Sequence, residues 1–391
     1  MRWMHGERMH RAADMSAIPA PSPLPRLDAI TGLRWWAAFA VFFFHVRNLI
    51  PLPGPLAALA PLGNYGVTFF FVLSGFVLTW SWRASTDKRT FYWRRFARIY
   101  PLQLVTLVLA LPVFYSFATD PEPSWVKTVN WGILLLCVFL LQGWSNDPQV
   151  LFAGNPAAWT LTVESFFYAV HPFITLVLKR LTQVGALVAA AGVVGFALAV
   201  RVALIAFPGS WLTNVPVPVM RLNEFVLGMC LAWAFRKGWI PRIPLAVPLG
   251  LLLVWFGMVV AGPRLELLTG MYGIVIPYGN EIATTLLALL IVSVASLDLR
   301  DRTRIMRSRP LVALGEWSYA FYLIHATFIY LALRLFGPQE RGWTVALWFL
   351  AILGVSIGTA WLLHVTIERP AERFLRTWQA GRRAQTSTLT R

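Results

Sequence analysis

Apolar residues in this chain gather into long runs at about 30–50, 66–82, 99–118, 129–145, 157–178, 184–207, 217–235, 244–261, 280–297, 310–333 and 343–365. Most approach the ~20 residues that a helix needs to cross ~30 Å of hydrocarbon. Basic clusters lie between them: Arg83 to Arg98, Lys179 and Arg180, Arg236 to Arg242, Arg300 to Arg309, and Arg369 to Arg383. Such clusters mark cytoplasmic loops. Successive clusters are separated by two runs, except that three runs lie between Arg98 and Lys179. The shortest of these three, 129–145, is bounded by Lys127 and by Ser145, Asn146, Asp147 and Pro148, and it reads as a re-entrant or interfacial segment. The pattern therefore predicts an all-α polytopic membrane protein with about ten transmembrane helices, one non-crossing segment and both termini cytoplasmic.

Composition agrees with that pattern. The chain has 391 residues, 58% of them apolar and only 13% charged, with a mean hydropathy of +0.62, where soluble domains carry about 25% charge. Thirty-four Lys and Arg against 17 Asp and Glu give +17, which in such a chain is a topology signal, and no nucleic-acid partner is expected. Cys137 and Cys230 both sit inside apolar runs, so neither a disulfide framework nor a metal site is expected. Residues 1–29 are basic and broken by Pro19, Pro21, Pro23 and Pro25, which reads as a disordered cytoplasmic arm without a secretory signal. Residues 30–368 form the membrane domain, and 369–391 a basic cytoplasmic tail. Loops this short leave the helix bundle as the place for any chemistry.

Ionisable side chains at membrane depth are costly, which makes them candidates for function. Arg34 and His45 lie eleven residues apart on the first predicted helix, so they share a face about 16 Å apart. The bland reading makes Arg34 a snorkelling anchor and His45 a packing residue. Depth arithmetic places His45, Glu164 and His325 each ~8 Å below the outer surface. A carboxylate beside an imidazole suits a general base for a hydroxyl, the bland alternative being a structural His–Glu hydrogen bond. Arg94, Arg95 and Arg98 gather three guanidiniums at the start of a helix, either as phosphate ligands or as a positive-inside anchor. Arg221 and Glu224 read as a self-neutralising pair. Gly66 and Gly75 flank Ser74 and favour close helix approach. Glu316, Ser318 and Tyr319 add polarity to the His325 helix.

These residues carry a resemblance. Leu27-Asp-Ala-Ile-Thr-Gly-Leu-Arg34, with His45 eleven residues beyond the arginine, resembles the opening of the acyltransferase 3 family of membrane O-acyltransferases. The likeness continues in order through Phe69-Phe-Phe-Val-Leu-Ser-Gly-Phe76, Arg94-Arg-Phe-Ala-Arg-Ile-Tyr-Pro101, Ala158-Trp-Thr-Leu-Thr-Val-Glu-Ser-Phe-Phe-Tyr168, Ser318-Tyr-Ala-Phe-Tyr-Leu-Ile-His325 and Ile367-Glu-Arg-Pro370. The resemblance implies transfer of an acyl group from acyl-CoA, with acetyl-CoA the expected donor, to a hydroxyl of a sugar-containing acceptor. It makes Arg34 and His45 essential, gives the arginine-rich loop to the donor, and places Glu164 in the site. It implies the stand-alone form, without the SGNH hydrolase-like domain that some members carry. The arm before residue 27 and the bulk of Trp35 and Trp36 depart from the usual pattern.

The residue arithmetic is compatible with that chemistry. Coenzyme A carries phosphates at one end and a thioester at the other, and ~16 Å along one groove is the right order for it. His45, aided by Glu164 or His325, would take the acceptor proton or briefly carry the acyl group. A secondary transporter would also have about ten spans with charges inside, but no internal repeat is visible. A scaffold leaves the shared depth of the three titratable groups unexplained. Only four of the 34 basic residues are lysine, which fits a high-GC bacterium and hence a bacterial cytoplasmic (inner) membrane.

Overall fold

The computed structural model describes residues 24–83, 85–262 and 266–389; the expected arm before residue 24 lies outside them. Among the described residues nine helical stretches are long and apolar enough to cross a membrane, and the shorter Ala246–Ala261 makes a tenth apolar helix. We label the helices used below α1 (Asp28–Val46), α2 (Tyr65–Trp80), α3 (Lys88–Phe114), α4 (Trp131–Val138), α5 (Trp159–Leu178), α6 (Gln183–Ala206), α7 (Leu222–Arg236), α8 (Ala246–Ala261), α9 (Gly279–Asp298), α10 (Arg309–Phe336), α11 (Thr344–Leu363) and α12 (Arg369–Leu389). A parallel pairing of Tyr115–Ser116 with Lys127–Thr128 is the strand content among the described residues. The protein is all-α and polytopic, as the hydropathy pattern predicts.

The run at 129–145 forms α4, eight residues long, and a three-residue 3₁₀ turn, Gln142–Trp144. At 1.5 Å per residue the helix is about 12 Å, far short of a crossing. Leu140 then takes a positive φ of 56° and turns the chain away.

Local sequence sets the helix ends. Asp87 caps α3, its carboxylate accepting from Thr90 N at 2.7 Å, and Thr182 caps α6 by accepting from Gly185 N at 3.1 Å. The start of α1 has no cap of its own. Asp298, at the end of α9, accepts from Ala29 N at 2.9 Å instead, and it also takes a hydrogen bond from Thr303 at 3.1 Å. One carboxylate thus anchors α1 to a helix 269 residues away.

The centre of the bundle is made by α1, α2, α7 and α10. A membrane offers no hydrophobic drive between helices, so backbones must approach closely to gain contact. A Cβ on Gly75 would lie 1.9 Å from Phe225 O, and one on Gly228 would lie 2.0 Å from Val72 O, so α2 and α7 meet through reciprocal glycines. Gly66 likewise lets α2 reach Ala37 O of α1, and Gly315 lets α10 reach Thr31 O. The close approach expected at Gly66 and Gly75 is present. By contrast α6 buries only Ala186 and Ala190, so most of its surface is left for lipid.

The α2–α7 seam makes a direct prediction. Gly75→Ala drives a methyl into a peptide oxygen that cannot swing aside, and overpacking of this kind costs about 1–3 kcal/mol or more. Melting of the detergent-solubilised protein should fall clearly, whereas Gly192→Ala, in open space, should leave it unchanged. Equal melting of the two variants would contradict the seam.

Candidate active site

Between α1, α2, α3, α5 and α10 lies a cavity of about 220 Å³. Helical spacing decides which groups reach it. Arg34 enters from α1 and Ser74 from α2. Arg95 and Arg98 enter at i and i+3 on α3, Glu164 and Tyr168 at i and i+4 on α5. Ser318, Tyr319 and Tyr322 of α10 close one side, and Val67, Phe70, Phe71 and Leu73 give the apolar wall. Arg94 is exposed and does not line the cavity. Consecutive helical residues point ~100° apart, so α3 turns Arg94 outward as it turns Arg95 inward. The expected triple cluster is thus two inward arginines joined by Arg34.

The charges in the cavity are unevenly matched. Arg98 Nη1 donates to Glu368 Oε1 at 2.5 Å and to Glu372 Oε2 at 3.4 Å, and its guanidinium lies over the Tyr319 ring at 5.8 Å. Glu164 accepts from Tyr168 Oη in a short hydrogen bond and from Ser74 Oγ at 3.4 Å. Arg34 has no hydrogen bond or ion pair among the described residues, although it feels Glu368 and Glu164 against Arg98. Arg95 has ring contacts only, with Phe91 at 6.0 Å and Tyr168 at 5.8 Å, and its Nε is buried without a partner. A buried donor without a partner is costly, and a charged one more so. Three guanidiniums facing one cavity, two without a counter-ion, make a receptor for an anion with several oxygens.

Three turns along α1 from Arg34 stands His45, and the structure joins it to His325 of α10. The ring centroids are 5.1 Å apart, and His325 Nε2 lies 3.2 Å from His45 Nδ1. Carbonyl groups fix the protons. His325 Nδ1 lies 2.8 Å from Tyr322 O and His45 Nδ1 lies 2.9 Å from Val41 O. Since a carbonyl only accepts, each Nδ1 carries the hydrogen of the neutral ring, and the single His45 Nδ1–H is shared between Val41 O and His325 Nε2. His45 Nε2 is then the unprotonated atom, and it has no protein partner among the described residues. Phe321, stacked on His325 at 5.9 Å, and Phe42 hold the inner ring. Tyr322 lines the cavity and its ring centre is 5.8 Å from that of His325, so the pair adjoins the cavity.

The sequence-derived residues therefore separate into two groups. Arg34, Arg95, Arg98 and Glu164 share the cavity, and His45 and His325 pair beside it. Glu164 has its hydrogen bonds with Tyr168 and Ser74, and His325 is the ring partner of His45. Equal depth along the membrane normal leaves the bearing around the bundle open, which is why depth alone suggested a His45–Glu164 pair. Sequence reasoning missed Glu368, whose signal was the Ile367-Glu-Arg-Pro370 stretch, and Tyr168, one turn past Glu164. Arg221 pairs with Glu224 at 3.1 Å, and Asn280 bonds both, at 2.8 Å to Arg221 and 3.0 Å to Glu224; this agrees with the self-neutralising reading. Glu316 pairs with Arg26 at 2.7 Å, away from the cavity. Among the described residues no group of three or more His, Cys, Asp or Glu is placed to hold a metal ion.

Comparison with known proteins gives consistent matches. The family model described as an acyltransferase domain matches residues 27–365. The chain is 34% identical to the Acyltransferase MdmB of Streptomyces mycarofaciens, over 94% of this chain and 96% of that protein. It is 30% identical to the Exopolysaccharide production protein ExoZ of Rhizobium meliloti, over 80% of this chain and 90% of the relative. It is 25% identical to the Peptidoglycan O-acetyltransferase OatA of Listeria monocytogenes, over 76% of this chain and 49% of the relative. No solved structure matches significantly.

Stability should separate the paired arginine from the unpaired ones. Arg98→Ala leaves Glu368 buried without its cation, and breaking such a pair costs about 3–5 kcal/mol. Arg34→Met removes a charge that the protein itself does not compensate, so the purified variant should melt at or above the temperature of the unaltered chain. A fall in melting temperature for Arg34→Met as large as that for Arg98→Ala would show that Arg34 has a structural counter-ion.

Proposed function

This chain belongs to the acyltransferase 3 family of membrane O-acyltransferases, and we propose that its donor is acyl-CoA, acetyl-CoA in the simplest case. We further propose that its acceptor is a hydroxyl on a carbohydrate, glycolipid or glycosylated natural product such as a macrolide. Membership of an enzyme family displaces the transporter and scaffold readings. The observation that carries the donor assignment is the pair of guanidiniums, Arg34 and Arg95, left without counter-ions among the described residues in a cavity that Arg98 also lines. The diphosphate and 3′-phosphate of coenzyme A supply the missing charge. The acceptor class draws on the names of OatA, a peptidoglycan O-acetyltransferase, and ExoZ, an exopolysaccharide production protein.

In this reading the nucleotide end of the donor lies by Arg34, Arg95 and Arg98, and the pantetheine arm runs along α1 towards His45. Eleven residues of helix separate the two, about 16 Å. His45 Nε2 takes the proton of the acceptor hydroxyl as its oxygen attacks the thioester carbonyl carbon. His325, accepting from His45 Nδ1, holds the ring in the tautomer that leaves Nε2 bare and steadies the imidazolium that forms. The tetrahedral intermediate then expels the thiolate of coenzyme A. That sulfur recovers the proton from His45, giving an ester and a free thiol. Glu164, bonded to Tyr168 and Ser74, balances part of the positive charge around the donor. The protein lies in the bacterial cytoplasmic membrane with both termini inside, so the donor enters from the cytoplasm.

Release of free thiol from acetyl-CoA, together with a gained acetyl mass on glycans or small metabolites, is the assay. His45→Ala should keep acetyl-CoA binding and lower turnover by roughly 10²–10⁴-fold, the usual contribution of a general base. His325→Ala, which frees the His45 ring to change tautomer, should lower turnover in the same direction. Undiminished turnover in His45→Ala would overturn the assignment.

A further inference from the structure

The last span changes its winding where it meets the arginines. Between α11 and α12, residues His364–Glu368 form a π turn, a wider coil that inserts one residue into an α-helix and occurs mostly as single turns. The turn buries both His364 and Glu368. Glu368 is held at both oxygens: Oε1 accepts from Arg98 Nη1 at 2.5 Å, and Oε2 lies 3.0 Å from His364 Nδ1. The first turn of α12 adds Glu372, which accepts from the same Nη1 at 3.4 Å and is bridged in turn by Arg376. Farther along, Trp93 Nε1 of α3 donates to Leu375 O at 2.7 Å, and its ring packs on Trp378 at 5.2 Å. The C-terminal segment is thus clasped to the helix that carries Arg98.

We propose that this π turn, through Glu368, is a positioning device for Arg98. A guanidinium is a rigid plane with five N–H donors. Those on Nη1 face Glu368 and Glu372, and the Tyr319 ring supports the plane at 5.8 Å. The donors on Nε and Nη2 have no protein partner among the described residues, and they belong to a side chain that lines the cavity. Fixing one corner and one face of a plane fixes where its open edge points. The rotamer freedom of a long side chain is then lost during folding, so less remains to be lost when an anion binds. His364 prevents the carboxylate from rotating away, and the extra residue of the π turn lets Glu368 face inward while α12 departs along α3. Glu368 touches no ligand in this scheme; it acts through Arg98.

The inference rests on the donor reading above, and its test separates the two. Affinities for acetyl-CoA and for S-acetylpantetheine, which carries the thioester but no phosphate, are measured on the full-length protein in detergent. The unaltered protein should prefer acetyl-CoA. Glu368→Gln should weaken acetyl-CoA by roughly 3–10-fold, the value of one pre-ordered side chain, and leave S-acetylpantetheine within about twofold. Glu368→Asp should recover most of the loss. Should Glu368→Gln fail to fold, His364→Ala, which keeps the Arg98–Glu368 charge pair, should show the same selective loss to a smaller degree. Equal loss of both ligands, or no loss of either, would refute the positioning role. An unaltered protein without preference for acetyl-CoA would instead overturn the donor reading and take this inference with it.

Discussion

A charge inside a helix bundle must be answered by an opposite charge, and in this protein the answer is incomplete. Arg98 has Glu368, Arg201 has Glu281 at 3.0 Å, and Arg221 has Glu224 at 3.1 Å. Among the described residues Arg34 and Arg95 have none. Burying a guanidinium unpaired costs stability unless a ligand supplies the anion. Strain of this kind persists where function uses it, and both of these guanidiniums line one cavity.

The packing explains how that cavity is held open. Reciprocal glycines bring α2 against α7, and Gly315 brings α10 against α1, at backbone distance, so helices that wall the cavity are tightly packed. Their seams are backbone on backbone, with no long side chain to collapse into the neighbouring space. α1 is the shared wall: pinned at its start by Asp298, it presents Arg34 to the cavity and His45 to His325. One rigid helix thus sets the spacing between the anion site and the base that we propose.

Much of this was legible in the chain. Hydropathy and charge parity marked the spans and the short segment at 129–145, because the bilayer imposes a length that composition must meet. The eleven-residue step from Arg34 to His45 survived intact, since an uninterrupted helix converts sequence distance directly into space. What depends on bearing around the bundle was not legible. Depth could not tell whether His45 meets Glu164 or His325, and a cluster of neighbouring arginines could not show that Arg94 faces away. Glu368 was hidden for another reason: it closes a π turn, whose register ordinary helical spacing does not give.

Most directly, the account is tested by an experimental density map of the full-length protein in lipid nanodiscs with acetyl-CoA bound. The account predicts phosphate oxygens within about 3 Å of the guanidiniums of Arg34, Arg95 and Arg98, with the thioester carbonyl against His45 Nε2. Density for the donor elsewhere, with Arg34 and Arg95 paired to protein carboxylates, would contradict it.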